Sequence, residues 1–251
     1  MERRFGRYAI RNLTMYLLAG YAIGYLLSFT MPQLLTYFTL EPALILKGQV
    51  WRLLSWVIIP PNDNIIFVIF MMLLYYSLGN TLESYWGAFR YNVYIFSGIL
   101  FTVIGAFIVN GLIGGITGFG SLYSTYYINM SIFLAFAVMY PDMQVMLYFI
   151  IPIKIKWMAI LDAVIFGITI VFGYLVPFLP RNVWYSLYAA GFLAPSAIMC
   201  YANATAALVS MLNFIIFFFL YKKGPAKSST QRNFDKAMRT AECQKRLLAA
   251  E

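Results

Sequence analysis

Six stretches of this sequence, residues 12–29, 64–82, 91–112, 122–140, 157–176 and 203–221, run for 18 to 22 residues with almost no charge. A helix needs about 20 apolar residues to cross the hydrocarbon core of a bilayer. In lipid the backbone must satisfy its own N–H and C=O groups, so such stretches are read as spanning helices. The only charge inside them is Asp162, near the start of the fifth. Composition agrees. Of 251 residues, 62% are hydrophobic and 11% charged, where a soluble domain carries about 25% charge. A charged shell cannot be built, which excludes a soluble enzyme, a disordered chain and a secreted disulfide scaffold. The 19% of aromatic residues suit the two membrane interfaces.

The chain contains no histidine. That removes every Ser-His, Cys-His or Asp-His catalytic unit and any His-ligated zinc. Cys200 lies in an apolar run and Cys243 in a basic tail; both read as free thiols without a structural role. No cofactor or metal is expected.

The first stretch is too long for a signal-peptide h-region, and no small-x-small cleavage site follows it, so it reads as an uncleaved anchor. Arg3, Arg4, Arg7 and Arg11 precede it. With the N-terminus in the cytoplasm, 15 Lys and Arg residues fall inside and three, Lys47, Arg52 and Arg181, outside. This asymmetry places both termini in the cytoplasm, with the plasma membrane as the expected location. Residues 182–221 form 40 uncharged positions, about 60 Å if helical and long enough for two crossings. A seventh span would carry the basic tail outside. Residues 182–200, interrupted by Gly191 and Pro195, are therefore expected to be re-entrant or interfacial. Residues 143–153 are too short to cross and are expected along the inner interface. The long outer loop, roughly residues 30–63, has amphipathic stretches at 42–46 and 51–59, broken by Pro32, Pro42, Pro60 and Pro61. It is expected to lie in the interface.

Four segments together resemble the rhomboid family. Gly48-Gln49-Val50-Trp51-Arg52-Leu53-Leu54-Ser55 is similar to the rhomboid Trp-Arg loop between the first two helices. Gly79-Asn80-Thr81-Leu82-Glu83-Ser84-Tyr85-Trp86-Gly87-Ala88-Phe89-Arg90 resembles the Gly, Glu, Gly and Arg pattern at the turn into helix 3. Ser131 to Ala137, followed by Pro141-Asp142, resembles the end of helix 4. Phe149 to Trp157 resembles the passage into helix 5. The resemblance covers roughly residues 11–221. It implies a six-helix bundle in which Trp51, Arg52, Gly79, Glu83, Gly87 and Arg90 are structural.

The catalytic parts of the family pattern have no match. Its His-x-x-x-Asn falls near Phe67 and Met71. The stretch nearest to its Gly-x-Ser-Gly is Gly118-Phe119-Gly120-Ser121-Leu122-Tyr123-Ser124-Thr125. Its Ala-His-x-x-Gly corresponds to Ala207-Leu208-Val209-Ser210-Met211. Ser121 or Ser124 has no imidazole to take its proton, and an unactivated hydroxyl is a weak nucleophile.

Several residues carry two readings. Glu83 reads as an anchor of its turn, with Arg90 as a candidate partner, and Arg52 as a donor to loop carbonyls. Asp162, about 7.5 Å along the helix from Trp157, pairs with Lys156 or a neighbouring helix, or serves binding. The polar residues Ser124, Thr125, Asn129 and Ser131 of helix 4, with Tyr126 and Tyr127, and Asn203, Thr205, Ser210 and Asn213 of helix 6, read as interhelical glue or as a polar cavity between helices 2, 4 and 6. Gly20-x-x-x-Gly24 and Ala163-x-x-x-Gly167 read as close helix packing. The tail has eight basic and three acidic residues and reads as an amphipathic helix on anionic lipid; nothing supports nucleic-acid binding.

The expected protein is thus all-α and polytopic, a six-transmembrane-helix rhomboid-like bundle with a long outer loop after helix 1. It divides into a basic N-terminus (1–11), a membrane domain (12–221) and a basic tail (222–251). The expected function is that of a catalytically inactive pseudoprotease whose partners are membrane lipids and transmembrane segments of client proteins. The candidate client or cavity residues are Ser124, Asn129, Asp162, Ser210 and Asn213. The alternatives are an intramembrane serine protease with a non-histidine base and a small-solute permease; against the latter stands the absence of inverted repeats. The charge asymmetry generates a first prediction. Reporters fused after Ala226 and after Asn64 fall on opposite sides of the membrane; same-sided reporters would refute the six-span topology.

Overall fold

Six long helices carry the chain: α1 (Leu13–Thr30), α2 (Ile65–Trp86), α3 (Ala88–Leu112), α4 (Tyr126–Met139), α5 (Ile155–Leu175) and α6 (Ala197–Leu220). This computed structural model describes residues 8–60, 65–112, 114–115, 118, 120, 123–147, 151–191, 194 and 196–220. Arg3, Arg4, Arg7, Pro61, Ser121, Pro195, Cys243, the basic tail and the side chain of Phe67 lie outside the described residues. The helices α1, α3, α5 and α6 are each long and apolar enough to cross a bilayer. The helix α2 has 22 residues. The helix α4 has only 14, about 21 Å at 1.5 Å per residue.

Two helix boundaries are corrected. The fourth helix begins at Tyr126 rather than at residue 122, because Tyr123 to Thr125 form a bend and turn. The sixth begins at Ala197 and absorbs the end of the segment expected to be re-entrant. What remains of that segment is a nine-residue helix, Arg181–Ala189, with no buried residue. It is about 14 Å long and cannot cross. The fold is all-α in its main architecture, as expected, with one short hairpin added. Strands β1 (Gln144–Leu147) and β2 (Ile151–Lys154) pair antiparallel, with Gln144 opposite Lys154 and Leu147 opposite Ile151. Lys154 Nζ approaches Asp142 at 3.7 Å beside this hairpin, an exposed pair of little energetic weight.

The core is centred on α4, whose residues from Ser131 through Ala137 are all buried. A helix buried on every side is a central one. Around it α2 turns the stripe Val68, Tyr75, Leu78 and Leu82 inward. Against it and its neighbours α6 lays Ala202, Ala204, Ala206 and Ala207, all buried, and packs most extensively on α3 and α5. By contrast α5 is peripheral. Trp157, Ile160, Leu161, Val164 and Val171 are exposed, as a lipid-facing side requires.

Glycines set the closest approaches. A Cβ at Gly79 of α2 would collide with Thr14 of α1, one at Gly173 of α5 would come within 2.9 Å of the Cys200 carbonyl of α6, and one at Gly105 of α3 within 3.1 Å of Val209 of α6. Gly24 instead faces the Ile58 carbonyl, so Gly20 and Gly24 seat the loop turn Trp56–Ile58 on α1 rather than joining two long helices. Gly167 has open space around it, and Ala163-x-x-x-Gly167 is not a packing motif.

At the join of α2 and α3, Gly87 takes φ +84, a left-handed value that costs glycine little. Its N–H donates to the Glu83 carbonyl at 2.8 Å. The side chain of Glu83 accepts the backbone N–H of Asn12 at 2.7 Å. The anchoring role of Glu83 therefore reaches beyond its own turn, to the start of α1.

The outer loop folds around Arg52, which is 3% exposed. Its Nη1 donates to the Thr36 carbonyl at 2.8 Å and the Thr39 carbonyl at 3.0 Å, and its Nε to Gln49 Oε1 at 2.7 Å. Trp51 Nε1 donates to the Tyr37 carbonyl at 3.2 Å, and Ser55 Oγ to the Phe38 carbonyl at 3.1 Å. Trp56 is fully buried beneath. Arg52→Ala leaves these carbonyls without their donor, which costs about 1–3 kcal/mol. We expect a lower thermal midpoint in detergent. Arg52→Lys restores only part of it, because an ammonium lacks the guanidinium fork; an unchanged midpoint for Arg52→Ala would show that the loop does not depend on it.

Candidate functional site

The site begins with the shortness of α4. About 21 Å of helix does not cross a hydrocarbon core of about 30 Å, so one end lies below a membrane surface. The C-terminal end runs into the exposed Pro141 and Asp142. The N-terminal end is preceded by Tyr123 and Thr125, which are 5% and 1% exposed. The N-terminal end is therefore the one enclosed by protein. The ring of Tyr127, in the first turn of α4, meets that of Phe166 at 5.7 Å, and Phe166 lies midway along α5.

Non-helical backbone at such depth persists only where protein buries it or where it lines a wet cavity. Both occur here. The outer loop clamps the entry to α4: the carboxylate of Glu41, itself buried, accepts the Gly118 N–H, and Thr125 Oγ1 donates to the Ile59 carbonyl at 3.4 Å. Gly120 packs against the Leu40 carbonyl so closely that a Cβ there would lie at 2.9 Å. Ser124 Oγ accepts the Tyr126 N–H at 3.1 Å. Beside this entry a cavity of about 230 Å³ opens between α4, α5 and α6, lined among others by Tyr126, Tyr127, Thr169, Cys200 and Asn203. It lies between helices 4, 5 and 6, not between 2, 4 and 6 as expected.

Asp162 belongs to the same face of α5 as the cavity wall. Asp162, Phe166, Thr169 and Gly173 follow at the four-, three- and four-residue steps that share one helical face; the last three line the cavity. Asp162 is one turn, about 6 Å, from Phe166. It is 7% exposed, and its Oδ2 has no hydrogen-bond partner. Tyr75 and Tyr126 lie within its electrostatic range. The expected pairing with Lys156 is not formed: Lys156 Nζ sits over the Trp157 ring at 5.6 Å. An ionisable group buried in a span without a partner is costly, which makes Asp162 the most conspicuous polar group of the site.

The other expected residues separate. Asn129 accepts a hydrogen bond from Tyr21 at 3.3 Å, which ties α4 to α1. Asn213 joins α6 to α3, accepting from Ser97 Oγ at 2.7 Å and donating to the Tyr94 carbonyl at 3.2 Å. Ser210 is 2% exposed, with its hydroxyl unpartnered, and Met71 is half-buried against the apolar core. These are interior contacts. Cys200, expected to lack a structural role, contacts the Ala194 carbonyl through Sγ at 3.4 Å and lines the cavity. Tyr126, Tyr127 and Asn203, named with the polar groups of helices 4 and 6, do line the cavity, whereas sequence reading misses Thr169 and Cys200. The signal that points to Thr169 is the spacing from Asp162.

The polar part of the lining is hydroxyl, amide and thiol, set beside the apolar Ile165 and Phe166. It suits hydrogen bonding of a polar or unwound segment. In a background with both Cys200→Ser and Cys243→Ser, Thr169→Cys and Asn203→Cys should react with a membrane-impermeant thiol reagent at least tenfold faster than Ala207→Cys, which is fully buried. Equal rates at the three positions would mean that the cavity is closed to water.

Residues 11–195 match the family described as eukaryotic integral membrane protein (DUF1751). No curated protein and no solved structure matches the chain. A polytopic membrane chain whose helices, outer loop and enclosed α4 entry nearly all fall within the matched residues belongs to that family of eukaryotic integral membrane proteins.

Proposed function

We propose that this protein is a rhomboid-like bundle of six spans, without protease chemistry, that holds transmembrane segments of client proteins in the cavity beside the α4 entry. Both termini face the cytoplasm in this reading. The observation that carries it is the partnerless Asp162 carboxyl one helical turn from a cavity lined by Thr169, Asn203 and two tyrosines. A helix-breaking client stretch exposes backbone N–H and C=O groups that lipid cannot satisfy, and these groups can be satisfied there. The absence of histidine speaks against hydrolysis, since removing the base from such a unit costs most of the rate. The family resemblance of the Trp51-Arg52 loop and the Gly79 to Arg90 turn supports the bundle.

A photoreactive residue placed at Asn203 should capture peptides from membrane spans of other proteins in intact cells. The same probe at Ile160, exposed on the outer side of α5, gives the background. Asp162→Leu should lower capture at Asn203 several-fold. A capture pattern identical at the two positions would sink the client reading. A serine-directed fluorophosphonate should not label the purified protein in lipid. Labelling that vanishes in Ser124→Ala would put the protease alternative first.

A further inference from the structure

The helices α1 to α6 carry four charged residues, Glu83, Arg90, Lys156 and Asp162. Three of them stand in a first or last turn, where a side chain reaches the membrane surface. Asp162 lies two turns inside α5. Tyr75 of α2 and Tyr126 of α4 are within its electrostatic range, and neither brings a positive charge. The helices α4 and α6, which wall the cavity together with α5, contain no Lys or Arg. The cavity beside the α4 entry therefore adjoins an acid that nothing nearby compensates. Its wall is also aromatic. The rings of Tyr126 and Tyr127 meet edge to face at 5.3 Å, and that of Tyr127 meets Phe166 at 5.7 Å with a 54° tilt; all three residues line the cavity. Aromatic rings set at steep angles beside a carboxyl suit an ammonium group, because the ring faces attract a cation. The Oδ2 of Asp162 is enclosed, so the carboxyl acts across the wall through its field, which is weakly screened where water is scarce.

We infer that this cavity selects client spans that carry a lysine near their middle. The inference rests on the client reading and names the spans that reading favours. Phe166 stands midway along α5, so the cavity meets a spanning helix at mid-depth. A lysine held there in lipid is costly, and a polar cavity beside a carboxyl and aromatic rings relieves that cost. A glutamate leaves lipid with similar relief but meets a like charge. A leucine has no such cost to relieve and no charge for the field to hold. A cavity of about 230 Å³ takes one side chain rather than a whole helix.

The full chain, with a photoreactive residue at Asn203, is reconstituted into phosphatidylcholine nanodiscs with one of three single-span peptides. The peptides are identical except for a central Lys, Glu or Leu. The Lys peptide should be captured about tenfold more than either of the others, the equivalent of about 1.4 kcal/mol. Asp162→Asn should remove the preference for Lys over Glu, and Asp162→Glu should keep it. Tyr126→Leu should lower it about threefold, while Tyr126→Phe, which retains the ring, should not. If Asp162→Asn fails to give a monodisperse protein, the two Tyr126 variants decide, and equal preference in both would count against the site. Equal capture of the Lys and Glu peptides would overturn the selection and leave the client reading standing, as would a preference that persists in Asp162→Asn. Capture of none of the peptides would remove the client reading and this inference with it.

Discussion

A backbone inside lipid has no water to bond, and that constraint organises this molecule around the head of α4. Fourteen residues of helix leave the chain before its first turn enclosed by protein. The polar groups of that stretch have to be met by protein or by a wet cavity. The carboxylate of Glu41 at Gly118, the Ile59 carbonyl at Thr125 and the close seat of Gly120 on Leu40 meet them from the outer loop. The loop can do so only because it is itself a folded unit. Arg52 gathers the carbonyls of Thr36 and Thr39, and Trp56 fills the space beneath. The arginine that ties the loop carbonyls is thus also a remote support of the cavity.

The interior polar contacts fall into two kinds with different consequences. Asn213 fastens α6 to α3 through both its amide atoms, and Asn129 fastens α4 to α1 through its Oδ1. Such bonds are worth about 0.6 kcal/mol each in membrane proteins, so they set register more than stability. Asp162 is different because no such use is evident. A carboxyl kept buried and unfastened would be a costly way to pack a helix that is otherwise mostly lipid-facing.

The apolar helices α1, α3, α5 and α6 were readable as candidate spans because hydropathy over about 20 residues is a strong signal. The roles of Arg52 and Glu83 as anchors were readable too, though the reach of Glu83 to Asn12 was not: the two are distant in sequence and come near only once α1 and α2 pack through Gly79. The length of α4 escaped sequence reading for a simple reason. Tyr123, Ser124 and Thr125 continue an apolar run, and nothing local says that the outer loop will hold them out of the helix. The cavity was misplaced for a related reason, since Asn129, Ser210 and Asn213 are polar, but packing turns them into the interior. The seam of Gly105 on Val209 and Gly173 on Ala204 lacks the four-residue spacing of Gly20 and Gly24, and that familiar spacing proved to seat a loop.

The join at Gly87 has a consequence for how the protein is made. With one residue between Trp86 and Ala88, α2 and α3 have no hydrophilic connector that can wait in water while the second helix emerges. The two must enter the bilayer together as a helical hairpin, and Glu83 is carried to its membrane face with them. Its meeting with Asn12 then ties α1, synthesised earlier and already in place, to the newly arrived pair. The first contact between distant parts of the chain would thus be laid down while α4 to α6 are still being translated, and the later helices assemble against a scaffold that is already closed.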